Sequence, residues 1–285
     1  MIEQWTRGHA GEHMPEEILV GLGAMIRRHP WWRARALLTI DLLHDLGLKP
    51  PSRVLDAGCG WGVTLEALES SGFQAAGLDI SRLTLQAIDR PGRRLIEADL
   101  ARPLPPRDSG YDAVLALDVI EHLDDDRAAV RRLGTLARPG GRVIVSVPAL
   151  PDLFGEFDEI QGHRRRYLPD DLKAAFEESG LDLERLFWWG RWLVPTLRRQ
   201  RSRPRTRPGD SPAEGYRRYL ELPPWPAVAV ARLAFAIERR RAIEGRLDVG
   251  TSLFAVARRP DGEGHRWASP SRSESQSSSP ATQTA

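Results

Sequence analysis

The feature that most constrains the fold is a short, mostly apolar run, residues 54–57, that breaks into three glycines on alternate positions, Gly58, Gly60 and Gly62. Glycine allows the tight turns and the close backbone approach that a loop around a ligand needs. The next segment, residues 63–70, has the pattern of a helix. A glycine-rich loop between a strand and a helix is typical of nucleotide binding, and we expect this loop to hold a nucleoside-containing ligand.

Acidic residues close the next two predicted strands. Asp79 ends the strand 74–80, 23 residues after Asp56, and Asp99 follows the strand 93–98. An acid in the first of these positions can accept both hydroxyls of a ribose. The dinucleotide fingerprint would also require a glycine at position 63, which is Val63 here. The alternative for all these residues is an ordinary strand-to-helix turn with capping acids.

Strands and helices alternate along most of the chain. Further strands are predicted at 112–117, 142–147, 181–188 and 251–257, and helices at 30–48, at 124–136 and from residue 169. This alternation favours an α/β fold, a doubly wound and mostly parallel sheet with helices on both faces. The helix 30–48, which precedes the first strand, is expected to act as a lid.

The segment Asp56-Ala57-Gly58-Cys59-Gly60-Trp61-Gly62 resembles the first motif of class I S-adenosylmethionine-dependent methyltransferases, Asp-x-Gly-x-Gly-x-Gly. Residues 117–123 and 157–167 resemble stretches of the type 11 and ubiquinone O-methyltransferase groups. The resemblance implies a seven-stranded Rossmann-like sheet with a reversed last strand, and S-adenosylmethionine as the cofactor. The cofactor positions that it implies are Gly58 and Gly60 beside the methionine part, Asp79 at the ribose, Asp99 and Leu100 beside the adenine, together with Ile80 and Leu117.

Two more residues are expected at the methionine end of this cofactor. The resemblance implies that Asp56 orients the loop and helps to hold the amino group. From the lid helix, Arg35 and its neighbour Arg33 are within reach of the carboxylate, which a guanidinium can bind through two hydrogen bonds. The alternative for these arginines is a solvated helix face.

The candidate catalytic residues follow strands four and five. Methyl transfer to a hydroxyl requires a base near the acceptor, and a histidine with a pKa near neutrality suits that task. We therefore expect His163 or His122 to act as the base, with Tyr167 and Asp158 as polar groups that position the acceptor. The alternatives are a loop histidine that bonds to the backbone at 163 and a structural residue at 122.

The same segments carry ligands of the kind that hold divalent cations, Asp118, Glu121, His122 and His163. An acid-x-x-Glu-His stretch resembles the metal-holding part of ubiquinone O-methyltransferases and of small-RNA 2′-O-methyltransferases, which implies an ion such as Mg²⁺. In those patterns the first acid is Glu, whereas Asp118 is shorter by one methylene. Asp118 and Glu121 could instead belong to the cofactor loop and cap a helix.

A long insertion separates the last two predicted strands. The chain is expected to comprise lid helices in 1–50, a cofactor-binding core in 51–189, an arginine-rich helical insertion in 190–249, the last core strand in 250–259 and a disordered tail in 260–285. Tryptophans 188, 189 and 192, the arginines of 198–207 and a following amphipathic helix suit a membrane interface through 188–245. The alternative is a lid that covers the substrate. Nucleic acid is a weaker interpretation, because the aromatic residues do not interleave with the arginines.

Composition restricts the setting. A chain of 285 residues with 41% hydrophobic content can bury a full core, and its single cysteine excludes an internal disulfide. The N-terminus lacks a basic-then-apolar leader, so we expect a cytoplasmic location, with membrane association through the insertion. The 41 basic and 39 acidic residues give no overall attraction to nucleic acid.

These observations predict an S-adenosylmethionine-dependent methyltransferase that modifies a small or lipid-like acceptor at oxygen. Two alternatives remain at this stage. One is a protein that binds the cofactor without turnover, and the other is an NAD-dependent dehydrogenase with the same layered architecture, against which Val63 argues. The architecture alone would not decide among them.

Overall fold

The computed structural model describes residues 1–6, 14, 18, 21–105, 110–201, 205–222 and 224–261. The strands in these ranges are β1 (Glu3–Gln4), β2 (Arg53–Ala57), β3 (Gln74–Asp79), β4 (Arg94–Glu97), β5 (Tyr111–Leu117), β6 (Ala137–Pro148), β7 (Asp182–Trp189) and β8 (Ser252–Arg258). The α-helices are α1 (Gly23–Arg28), α2 (Pro30–Asp45), α3 (Val63–Ser70), α4 (Arg82–Ile88), α5 (Asp126–Leu136), α6 (Glu156–Gln161), α7 (Pro169–Phe176), α8 (Val194–Arg201), α9 (Pro212–Leu220) and α10 (Trp225–Ile243).

All eight strands form one sheet in the order β1-β4-β3-β2-β5-β6-β8-β7. The pairs from β1 to β6 are parallel, and β8 runs antiparallel to both of its neighbours. The strand order reverses at β2, which pairs with β3 on one side and with β5 on the other. In an open α/β sheet the crevice beyond the carboxyl ends of the strands at such a reversal is where ligands bind.

The predicted fold class is confirmed, including the reversed last strand, but the sheet has eight strands instead of seven. The additional strand is β1, which pairs with Ile96 and Glu97 at the edge and lies in the segment expected to contain only lid helices. Two residues are too short for a periodic pattern. An ion pair between Glu3 and Arg94, 2.7 Å long, joins this strand to β4.

Two other boundaries can be compared with the sequence. The strand predicted at 142–147 begins earlier, at Ala137, which pairs with Tyr111 before a shift in register; regular pairing with β5 resumes at Arg142. Of the tail predicted to be disordered, residues 262–285 lie outside the described residues.

Apolar layers cover both faces of the sheet. Because successive strand residues point to opposite faces, Leu55 and Val114 pack with α5 and α7, whereas Val54 and Leu115 pack with α2, α3 and α10. The lid helix α2 is therefore a structural part of the second layer. This layering leaves the carboxyl edge of the sheet as the place where polar side chains can gather.

The insertion folds onto the core through a buried carboxylate. Glu238 of α10 accepts hydrogen bonds from the N–H groups of Gly190 and Arg191, both 2.7 Å long, just after β7. Phe235 of the same helix packs against the rings of Trp189 and Trp192. No single helix of the described ranges has the length and apolar character to cross a membrane; only α9 and α10 taken together do so, with a bend of 78° between them.

Candidate active site

The loop between β2 and α3 is built on left-handed glycines. Gly58, Gly60 and Gly62 have φ angles of +81°, +46° and +74°, which cost little only without a side chain. A Cβ on Gly58 would also lie 2.3 Å from Cγ2 of Val119, which follows β5. The N–H groups of Gly58 and Cys59 both donate to the carbonyl of Leu78 at the end of β3. The loop is thus packed between the ends of β3 and β5.

Asp79 fixes the next turn of this loop. One carboxylate oxygen accepts from the N–H of Gly60 at 2.8 Å and the other from the N–H of Ser81 at 2.9 Å. Burial of an ionised carboxylate requires such partners. Contact of Asp79 with a ribose stays a prediction beside this structural role.

Asp56 is a buried acid whose hydrogen bonding is incomplete. Its Oδ2 atom accepts no hydrogen bond from the described residues. Burial raises the pKa of Asp56 to about 7; nearby Arg35 lowers it and Asp79 raises it further. A cationic or hydrogen-bonding group of a ligand would satisfy this oxygen, as the sequence predicted for a cofactor amino group.

Arg35 reaches the site from α2, where it forms an ion pair with Asp118 and stacks 4.8 Å from the ring of Trp31. Asp118 has a left-handed φ of 57° and accepts a second hydrogen bond, from the hydroxyl of Ser146 at 3.1 Å. Asp118 was expected to hold a metal ion, but its carboxylate is directed towards Arg35, which would compete with a metal ion for it. The sequence did not point to this ion pair.

His163 is oriented by a buried carboxylate. Its Nδ1 lies 3.0 Å from Oδ1 of Asp158, which also accepts from Nε of Arg166 at 2.8 Å. Because a carboxylate paired with a guanidinium only accepts, the histidine donates through Nδ1 and leaves the lone pair of Nε2 available. Sequence reasoning assigned Asp158 to positioning and gave Arg166 no role.

Glu121, His122 and His163 come together as a group that could hold a metal ion. One ligand atom from each residue can be chosen so that all lie within 4.8 Å of one another, and Asp118 is not part of this group. The carboxylate of Glu121 is fully buried, and neither of its oxygens accepts a hydrogen bond from the described residues. Burial raises the pKa of Glu121 well above its usual value, and the charge of Asp118 adds to the rise.

Tyr167 does not reach the group of histidines, so its prediction as a catalytic residue is corrected. Its ring is buried in the core, and its hydroxyl donates to Asp126 at 2.8 Å. Desolvation, followed by the charge of Asp126, raises the pKa of Tyr167 above its usual value. Its position at the end of the segment 157–167, which resembles a methyltransferase stretch, was that of a site residue, but the side chain points into the apolar layer.

The predicted adenine end lies apart from the histidines. The N–H of Asp99 donates to the hydroxyl of Thr6 at 2.6 Å, and Leu100 is buried among apolar residues. The cavity that the histidines line does not include the residues predicted for the ribose and the adenine, Asp79, Ile80, Asp99 and Leu100. They are close in sequence to the carboxyl ends of β3 and β4, and their contact with a cofactor stays a prediction.

A cavity of about 640 Å³ joins the remaining groups. The predicted site residues that line it are Arg35, Asp56, Gly58, Gly60, Leu117, Asp118, His122 and His163. The opposite wall is mostly apolar and comes from the insertion, including Trp192, Leu197, Val228, Ala231 and Phe235. The sequence predicted an amphipathic helix in the insertion, but it did not predict which residues of the insertion would line this cavity.

Comparison with known proteins identifies the sequence type. Residues 31–186 match the family model described as "Methyltransferase domain", which is more than half of the chain. The chain is 29% identical over 133 residues to the ubiquinone biosynthesis O-methyltransferase of Ralstonia nicotianae, covering 41% of this chain and 56% of that protein. An O-methyltransferase of Pyrenophora dematioidea is 27% identical over 157 residues, covering 50% and 59%. The chain thus spans little more than half the length of these curated relatives.

Solved structures share the fold at low identity. One chain of the Haloferax volcanii complex that contains the Trm112 methyltransferase activator superposes with a TM-score of 0.55 at 18% identity, covering 86% of this chain and 96% of that one. The [4+2]-cyclase SpnF superposes with a TM-score of 0.52 at 19% identity, covering 80% and 82%. At such identities the likeness concerns the fold alone.

The raised pKa of Asp56 predicts how the stability of the ligand-free protein depends on pH. The unfolded chain releases this proton near pH 4, whereas the folded chain retains it to about pH 7. Asp56 should therefore lower the free energy of unfolding as the pH rises between these values, by at most about 4 kcal/mol. Urea denaturation across this range should show a smaller decrease for Asp56→Asn than for the parent protein.

Asp112→Asn is the matched control. Burial raises the pKa of Asp112, but hydrogen bonds from Arg138 and from the N–H of Arg53 outweigh it and lower this pKa below its usual value. The stabilisation by Asp112 is therefore complete above pH 4 and is lost only at lower pH. This variant should shift the free energy of unfolding without changing its slope between pH 4 and 7. Equal slopes for the parent and Asp56→Asn would contradict the burial effect.

Proposed function

Because this chain belongs to the methyltransferase domain family, we propose that it catalyses S-adenosylmethionine-dependent methylation of an oxygen on a small-molecule acceptor. The observation that carries the proposal is the Gly58–Gly62 loop, which opens together with the unsatisfied Asp56 into the cavity that also exposes His163. The O-methyltransferases among the relatives support oxygen as the acceptor atom.

The residues at the loop fit the methionine part of this cofactor. The free oxygen of Asp56 suits an ammonium group, and the backbone of Gly58 and Gly60 lines the same cavity. Arg35 offers its remaining N–H groups to a carboxylate, since its Nε has no hydrogen-bond partner among the described residues. When bound, S-adenosylmethionine supplies an electrophilic methyl group on a sulfonium.

His163 is the group best placed to take the acceptor's proton. Asp158 holds its Nδ1–H, so the lone pair of Nε2 is available. Arg166, which is buried, donates to the same oxygen of Asp158 at 2.8 Å and thereby fixes the carboxylate that faces Nδ1 of the histidine. Asp158 and Arg166 act through the histidine and are positioning residues.

The cofactor proposal is tested by calorimetric titration with S-adenosylhomocysteine, beside NADH. We expect binding of S-adenosylhomocysteine, and a loss of at least tenfold in affinity for Asp79→Ala, because this change leaves the N–H groups of Gly60 and Ser81 without their charged acceptor. Asp89→Ala, an exposed acid after α4, is the control and should bind like the parent protein.

The other outcomes separate the alternatives. A preference for NADH would indicate a dehydrogenase. Binding of S-adenosylhomocysteine without methyl transfer to any hydroxyl acceptor in a screen would indicate a protein that binds without turnover. The fold also occurs in a chain titled a [4+2]-cyclase, so turnover of an acceptor without consumption of S-adenosylmethionine would overturn the transfer reaction.

As an alternative to a base at His163, we propose that Glu121, His122 and His163 hold a divalent cation, which would then occupy the Nε2 lone pair of His163. The buried carboxylate of Glu121 lacks hydrogen-bond donors, and a cation would compensate its charge. Two imidazoles and one carboxylate favour an ion such as Mn²⁺ or Zn²⁺ over Mg²⁺, which prefers oxygen ligands. Bound beside the acceptor, such an ion would lower the pKa of a hydroxyl.

Thermal unfolding with and without added metal tests this site independently of activity. After treatment with EDTA, the parent protein should gain stability on addition of MnCl₂ or ZnCl₂, and more at pH 8 than at pH 6, because Glu121 must lose its proton to bind. Glu121→Gln should unfold at a similar temperature without metal but show no gain. Glu159→Gln serves as the control on α6. An equal gain for Glu121→Gln would exclude the site.

The form of the cavity suggests the class of acceptor. Its insertion side is apolar, and the same helix, α10, exposes three apolar residues to solvent, Val230 at 67%, Leu233 at 62% and Ile237 at 54% of their surface. We call these three residues the apolar stripe. We infer that the acceptor is lipid-like and that the apolar stripe contacts a membrane, where Trp225 at the start of α10 also suits the interface. The insertion serves as a lid as well, since it forms a wall of the cavity.

Co-sedimentation with vesicles tests the membrane contact. Leu233→Gln together with Ile237→Gln should lower the partitioning onto vesicles of phosphatidylcholine and phosphatidylglycerol at least tenfold, because two side chains lose their transfer from water. Leu83→Gln is the control, since Leu83 is 45% exposed but lies on α4. Unchanged partitioning of the double variant would contradict the proposed membrane contact. The insertion would then be only a lid over the substrate.

A further inference from the structure

A second cavity, of about 360 Å³, lies between α2 and α10, beside the candidate active site. Helix α2 contributes Arg33 and Leu37 to its lining, and α10 contributes Arg232, Ala236 and Arg239. We call this cavity the arginine groove. The proposed methyl transfer uses none of these five residues.

The charge of the arginine groove is uncompensated on its open side. Asp41 pairs with Arg239 at 3.3 Å, but no acidic residue lines the cavity. Within the described parts of the chain, Arg33 and Arg232 form no ion pair, and both are exposed. Guanidinium groups that face one another repel, and a bound anion would remove this cost. Their planar forks match the oxygens of a phosphate.

The apolar stripe lies on the exposed face of α10, which continues to the edge of the arginine groove. At about 100° per residue, the stripe covers an arc of about 60° on α10. Arg232 and Arg239 follow on one side of this arc, and Ala227 and Ala231, which line the large cavity, follow on the other. Ala236, which is exposed and lines the arginine groove, lies between Leu233 of the stripe and Arg232 around the helix. A surface that covers Leu233 and Ala236 would therefore reach the edge of the arginine groove.

We propose that the arginine groove binds the phosphate of an anionic phospholipid headgroup while the apolar stripe enters the acyl region. This inference rests on the proposed membrane contact and names the lipid class that the contact recognises. A bilayer is favoured over a free phosphate because exposed apolar surface adjoins the groove on both helices, with Leu37 exposed at 49% and Ile237 one residue beyond Ala236. Only a lipid would cover this surface and neutralise the arginines together.

The test compares vesicles with and without an anionic lipid. Partitioning of the full chain onto phosphatidylcholine–phosphatidylglycerol vesicles should fall about 25-fold for Arg33→Gln with Arg232→Gln, about fivefold for each arginine. Onto phosphatidylcholine alone, this variant and the parent protein should partition equally. Arg127→Gln with Lys173→Gln removes the same charge from α5 and α7 on the opposite face and should have little effect.

A charge-conserving variant distinguishes a headgroup site from a diffuse basic surface. Arg33→Lys with Arg232→Lys retains the charge but loses the planar fork, and we expect at least a fivefold loss on anionic vesicles. Partitioning like that of the parent protein would overturn the proposal. The proposal would also be overturned if the protein bound inorganic phosphate or a single-stranded oligonucleotide through these arginines but did not bind vesicles.

Calorimetry with S-adenosylhomocysteine separates this inference from the proposed function. Arg33 was expected beside Arg35 at the cofactor's carboxylate, but it lines the arginine groove and not the large cavity. The arginine variants should therefore bind S-adenosylhomocysteine like the parent protein, which also shows that they are folded. If the parent protein binds anionic vesicles in an arginine-dependent manner but does not bind S-adenosylhomocysteine, the headgroup site in the arginine groove is supported and the proposed methyl transfer is contradicted. If the variant of the apolar stripe binds vesicles more weakly and the arginine variants bind them like the parent protein, the membrane contact is supported and the headgroup site in the arginine groove is contradicted.

Discussion

The site depends on the close contact between Gly58 and Val119. A glycine at the end of β2 lets the turn after β5 approach to a distance that any side chain would prevent. That turn carries Glu121 and His122, so one missing Cβ brings the expected cofactor loop and the histidines into a single cavity. Asp79 then holds the other end of the loop. A larger residue at 58 would separate the two halves of the site before any catalytic group was changed.

Arg35 links this site to the lid helix. It is the partner of Asp118, and its charge lowers the pKa of both Asp56 and Glu121, which burial raises. The protonation of these acids at the carboxyl edge therefore depends on where α2 lies. Because α2 also packs against the second apolar layer and against α10, the electrostatics of the site are coupled to the position of the insertion.

Sequence patterns predicted the parts of the molecule that local physics determines. The glycines of the loop and the strand ends at Asp56 and Asp79 depend on backbone conformation and periodicity, and they were found in the predicted order. The reversed strand β8 was predicted from the family resemblance alone. Pairings between distant residues leave no such signal. Spacing alone could not show that Asp118 faces Arg35, that Tyr167 turns into the core, or that a two-residue strand extends the sheet.

Helix α10 shows how one element can serve two sites. Phe235 lines both the acceptor cavity and the arginine groove, and Glu238, one turn further along, fixes the helix to the end of β7. A headgroup drawn between Arg33 and Arg232 would press on the same ring that borders the acceptor. Packed interiors transmit such displacements because they contain little free volume. If the arginine groove binds a headgroup as proposed, its occupancy should alter the acceptor pocket through this shared ring, and the proposed membrane contact would then be coupled to binding of the acceptor.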